Sequence, residues 1–146
     1  MTTAKELLRI LKEELKGYEG LYELLKKEKE AIISFRPSDL EDIVKEKDTL
    51  VLQLRLLDEE RKRLVQEYAR ANSCGKSLVD IYNHTGNKEF LEIRSELISL
   101  LQAIEELNEI NRIFIERATL HLKTSSTFLK SIVNPESYTR AVSREV

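Results

Sequence analysis

The chain is poor in residues that break helices or build reactive sites. Its 146 residues include four Gly, two Pro, one Cys, one Met and no Trp, and only 6% are aromatic. A single cysteine, Cys74, excludes a disulfide framework within the chain and fits a reducing compartment. Neither sign of charge dominates. Lys and Arg number 24 against 26 Asp and Glu, a formal net charge of −2, with both signs interleaved. No basic stripe is left for a nucleic-acid backbone, so a helical arm that grips nucleic acid is disfavoured. Long apolar runs are missing too. The longest uncharged stretch near the middle, Ile98 to Ile104, is far short of a membrane span. The start, Met1 to Arg9, lacks the apolar core of a secretory signal. The expectation is a cytoplasmic protein without membrane insertion.

What the chain has in abundance is Leu, Glu, Lys and Ile, with 34% charged residues, the composition of long helices. Leu40, Ile43, Lys47, Leu50, Leu54, Leu57, Arg61, Leu64, Tyr68 and Ala71 recur at alternating spacings of three and four. That period of 3.5 places them on one seam of a helix. Only Lys47 and Arg61 interrupt the seam. A polar residue at such a site can fix helix register; alternatively, the aliphatic stems cover apolar surface while the charged heads reach water, the reading preferred here.

Breakers divide the chain into helices of about 3–35, 38–71, 76–82 and 88–133. Thr3 with Glu6, and Ser38 with Glu41, have the spacing of capping boxes. Arg36-Pro37 makes a tight reversal between the first two helices. Asn72 to Gly75 and Asn83 to Asn87 read as turns, and Asn87 is placed to cap the last helix. Gly17 and Gly20 fall inside the first helix, each costing about 1 kcal/mol against Ala, and read as tolerated weak points or places of close helix approach. The fold expected is all-α: an antiparallel bundle of three long helices with a short connecting helix over 1–133. A polar tail of mixed charge, 134–146, reads as disordered or folding only on binding.

The last helix continues the three-four rhythm through Phe90, Ile93, Leu97, Leu100, Ile104, Leu107, Asn111, Phe114, Ala118, His121, Ser125, Phe128 and Ile132. Leu101, Ile115, Leu122 and Leu129 widen the apolar stripe. Its second half outruns its partners and leaves Phe114, Leu122, Phe128 and Leu129 short of cover, the mark of an interaction surface. Asn108 and Asn111 lie three residues apart on this helix. A buried pair that sets register and an amide pair that bonds a bound helix fit equally well.

Signals for chemistry are weak. Gly75-Lys76-Ser77 resembles the end of a phosphate loop, but Arg70 stands where that loop requires glycine. His84 and His121 are far apart and outside any cluster with ligand spacing, so no metal or other cofactor is expected. Cys74 has no nearby His to activate it. No enzyme is indicated.

Several segments, taken in order, resemble the flagellar export chaperones of the FlgN family. Ile43-Val44-Lys45-Glu46-Lys47-Asp48-Thr49-Leu50 is similar to the family's I-x-x-E-K-x-x-L stretch, and Leu57 to Arg61 resembles its following L-x-x-x-R run. Leu107-Asn108-Glu109-Ile110-Asn111-Arg112-Ile113-Phe114-Ile115 is similar to L-N-x-x-N-x-x-L-[LI], and Asn134-Pro135-Glu136-Ser137-Tyr138 sits at the family's proline break and tyrosine. The chain departs from the pattern after Tyr138, where Thr139-Arg140-Ala141-Val142 replaces a glycine-bearing stretch, and at Arg112, where a small residue is common. The resemblance implies a cytoplasmic chaperone for the hook–filament junction proteins, hook-associated proteins 1 and 3. It also implies contacts with the export ATPase and the export gate. By position, Asn108, Asn111, Phe114, Ile115, Leu122, Phe128 and Leu129 would border or supply the cargo site, and Tyr138 would touch the gate. The rival expectation is a structural coiled coil without a client. A monomer, a homodimer and a helix-swapped dimer all fit the sequence.

Overall fold

A computed structural model describes the backbone of residues 2–133 and the side chains of residues 2–124. Within that range the chain is all-helical: α1 (Thr3–Ile33), α2 (Pro37–Asn72), α3 (Leu78–Thr85) and α4 (Glu89–Val133). The expected tail, 134–146, lies outside the described residues.

The helix ends follow local chemistry, with some shifts from the sequence reading. The hydroxyl that caps α1 is that of Thr2, which accepts from the Lys5 amide at 3.3 Å. Glu6 is thereby one residue too far along to close the expected box, and it accepts from Arg9 instead. At the reversal, α1 ends at Ile33 rather than Phe35, because Phe35 takes φ 50° and turns the chain. The Arg36 amide then donates back to the Ala31 carbonyl at 2.9 Å. Pro37 occupies the first turn of α2, where its fixed φ suits a helix and its missing N–H is not needed. The Ser38–Glu41 box is therefore not what starts α2. The short helix runs over Leu78–Thr85 instead of 76–82, because Ser77 and Asp80 form a reciprocal capping box. A Cβ on Gly75 would meet the Asp80 carboxylate at 2.1 Å, so glycine leaves the box its room. Gly86, at φ 71°, closes α3, and Asn87 accepts from the Glu89 amide at 3.0 Å as α4 begins.

The long helices align through their cross-contacts. Along α1, Glu14, Gly17, Gly20 and Glu28 face Arg61, Leu54, Leu50 and Lys47, so α2 runs antiparallel to α1. Lys12 pairs with Glu89, and Glu28 meets Asn111, so α4 runs alongside α1 in the same direction. The helices do not share contacts evenly. α1 is the central member, with α2 and α4 each packed extensively on it, and α3 packs on α4.

Two apolar clusters fill the interior. The larger joins Leu7, Ile10 and Leu11 of α1, Leu64 and Tyr68 of α2, Ile81 of α3, and Phe90, Ile93 and Leu97 of α4. The second joins Leu21, Leu25, Leu54, Ile104 and Leu107. On α1 the buried apolar residues come at adjacent positions, Ile10 with Leu11, Leu24 with Leu25 and Ala31 with Ile32, so its buried face is wider than one seam and meets two neighbours at once.

Candidate functional site

Two features stand out from this apolar frame: a pair of buried ionic layers, and a length of α4 that no other described residue covers. Glu14 and Glu28 of α1 are almost wholly buried, at 1% and 2% exposed. Each faces a seam interruption of α2. The Arg61 guanidinium lies 3.4 Å from Glu14, and Lys47 donates to Glu28 Oε2 at 2.7 Å. Glu14 and Glu28 are two heptads apart, as are Lys47 and Arg61, so the two layers repeat one arrangement. The two basic side chains, 26% and 28% exposed, thus reach carboxylates rather than simply snorkelling to water. Burial pushes the Glu14 carboxyl above its ordinary value, with the Arg61 charge pulling the other way.

The upper layer extends to α4. Asn111, 1% exposed, donates through Nδ2 to the Leu25 carbonyl and to Glu28 Oε1, both at 2.9 Å. Its Oδ1 is buried and has no hydrogen-bond partner among the described residues. Lys47, Glu28 and Asn111 thus form a polar relay from α2 across α1 to α4. The sequence held a signal for the two acids. Leu7, Leu11, Glu14, Tyr18, Leu21, Leu25, Glu28 and Ile32 form an unbroken four-three seam, and the glutamates stand at seam positions.

The structure separates the two asparagines. Asn108 is exposed, while Asn111 is built into the fold, so they do not act as one amide pair. Asn108 lies with Glu28, Lys47, Leu101, Ile104 and Ile115 along an open groove of about 610 Å³ beside the relay.

Beyond Asn111, α4 loses its cover. α1 ends at Ile33, five residues past Glu28, so the last 17 or so residues of α4, roughly 25 Å of helix, continue past it. Phe114 is half-buried, whereas Ile115 is 41% exposed, Leu120 66% and Leu122 60%. The side chains of Phe128 and Leu129, and the whole of Tyr138, lie outside the described residues. Elsewhere, the Tyr68 hydroxyl is bonded to His84 Nδ1, which ties α2 to α3 and gives that histidine a structural partner. Gly75-Lys76-Ser77 is the turn that caps α3. Among the described residues, no three His, Cys, Asp or Glu side chains converge as a metal site, and no helix is long and apolar enough to cross a membrane.

A packed helical frame that carries a long helix with an open apolar face defines a class: a helical protein built to bind other chains. The family model described as FlgN protein matches residues 1–144, and the chain belongs to the FlgN family of flagellar export chaperones. No curated protein and no solved structure matches the chain.

Proposed function

We propose that this FlgN-family chain is a cytoplasmic chaperone for the C-terminal helical segments of hook-associated proteins 1 and 3. It keeps them from assembling early and brings them to the flagellar export apparatus, meeting the export ATPase and, through Tyr138, the export gate. The observation that supports this reading is the upper half of α4, where, among the described residues, Ile115, Leu120 and Leu122 stand 41–66% exposed. Large apolar side chains held out on an ordered helix suit an amphipathic segment that lays its apolar face against them. Phe114, Ile115 and Leu122, with Phe128 and Leu129 further along, supply the contact, and Asn108 and Asn111 border it.

The test is calorimetric titration of the protein with C-terminal peptides of the two junction proteins, with a C-terminal flagellin peptide as control. Saturable one-to-one binding to the junction peptides alone is expected. Replacing Ile115 and Leu122 together with Ser removes two exposed apolar side chains, so helix content stays the same while affinity falls about tenfold or more. A folded sample that binds none of the peptides returns the reading to a coiled-coil arm without a client, whose exposed leucines are covered by a second copy.

A further inference from the structure

We infer that the Lys47–Glu28–Asn111 relay is a clasp that sets how often the stretch of α4 from Ile104 to Asn111 lifts from α1. Asn111 is the last fully buried residue before α4 leaves its neighbours: residues 112–124 are exposed or half-buried throughout. The clasp therefore sits at the boundary between the packed and unpacked halves of one continuous helix. Glu28 is its pivot. One carboxylate oxygen accepts from Asn111 of α4 and the other from Lys47 of α2, and the group is 2% exposed.

The arrangement is poised rather than locked. Asn111 Oδ1 is buried with no partner among the described residues when the helices are together, and lifting α4 gives that oxygen to water. An apolar side chain in its place would hold α4 down without this cost. Opening at the clasp also uncovers Leu21 and Leu25 of α1 and Ile104 and Leu107 of α4, a second apolar surface continuous with the exposed face above it. The clasp is a property of the protein alone and stands whether or not the proposed clients are the right ones.

One consequence separates a clasp from an ordinary core contact. Among the described residues, Lys47 has no hydrogen bond or ion pair with α4; its polar contact is with Glu28. If the relay controls α4, a change on α2 is read on α4. The experiment is hydrogen exchange of the full chain, comparing the wild type with Lys47→Met. Amides from Ile104 to Ala118 are expected to exchange roughly tenfold faster or more, because a lifted helix loses the packing that holds its hydrogen bonds. Amides of Leu7 to Leu11 and Leu64 to Tyr68, in the other cluster, are expected to keep their rates.

The companion variant replaces Lys47, Glu28 and Asn111 together with Met, Leu and Leu. An apolar layer of similar volume keeps the fold, and α4 exchange falls to the wild-type rate or below it. The clasp is overturned if Lys47→Met speeds exchange equally everywhere, or only around residue 47 on α2. It is also overturned if the apolar layer leaves α4 exchanging as fast as Lys47→Met does.

Discussion

Glu14 shows how a single buried group shapes the stability of this molecule. Burial raises its carboxyl above the ordinary 4.5, and the Arg61 guanidinium, which also pairs with Asp58, offsets this only in part. Glu14 Oε1 faces Arg61 Nε at 3.4 Å but accepts no hydrogen bond from the described residues. A carboxyl with a raised folded pKa binds its proton more tightly in the folded chain than in the unfolded one. Its contribution is fully present below the unfolded value and is lost as pH rises through the folded one. Glu14→Gln is neutral at every pH and escapes that loss. Thermal melts are expected to place the variant above the wild type at about pH 7, with the gap narrowing towards about pH 5. A gap that widens on acidification would mean that the ionised pair with Arg61 is net stabilising. At this scale the sequence was only half readable. Lys47 and Arg61 stood out as charges in an apolar seam, whereas their partners are harder to pick, because α1 carries seven glutamates besides its seam leucines. The seam through Leu7, Leu11, Tyr18, Leu21, Leu25 and Ile32 sets Glu14 and Glu28 apart from Glu13, Glu23 and Glu30, but only the register between helices tells which of them meets Arg61 and which Lys47.

At the scale of the element, the α1–α2 pair shows what the periodic pattern does and does not carry. The seams named the helices and the Arg36-Pro37 reversal named their antiparallel order, since three-four spacing and a proline after a helix are local signals. The exact caps were less readable. Several Ser, Thr and Asn residues compete at each end, and the winner depends on where the preceding turn leaves the backbone. The two glycines of α1 look alike in sequence and differ in the structure. A Cβ on Gly17 would come within 2.7 Å of the Leu54 side chain, whereas one on Gly20 would sit 3.6 Å from Leu50, an ordinary contact. Gly20→Ala is therefore expected to raise stability by about 1 kcal/mol through helix propensity alone. Gly17→Ala gains less or loses, because Leu54, buried in the second cluster, has to shift. Urea unfolding of the two variants side by side decides the matter: equal gains would mean that α2 does not approach α1 closely at Gly17.

Across the whole molecule, one 45-residue helix passes without a break from a core shared with the other helices into a stretch, residues 112 to 124, that has no buried side chain. Its first half is anchored by Phe90, Ile93, Leu97, Ile104 and Leu107, all buried. Its second half has no such anchors from residue 112 to residue 124. Isolated helices of this length are marginal in water, so the upper half keeps its form mainly by continuity with the lower half. Hydrogen exchange of the free protein is expected to show a steep gradient along α4. Amides from Phe90 to Leu97 should open only with the core, and those from Glu116 to Thr124 should exchange orders of magnitude faster. Uniform protection along α4 would mean that another copy of the chain already covers the upper half, and sedimentation would then report a dimer. A gradient that flattens when a junction-protein peptide is added would place the client on the uncovered stretch. The sequence foretold this uneven helix, because its seam is apolar up to Phe114 but for Asn111, and diluted by Ala118, His121 and Ser125 beyond it. It did not foretell that Asn111, paired there with Asn108, acts apart from it and marks the boundary between the two halves.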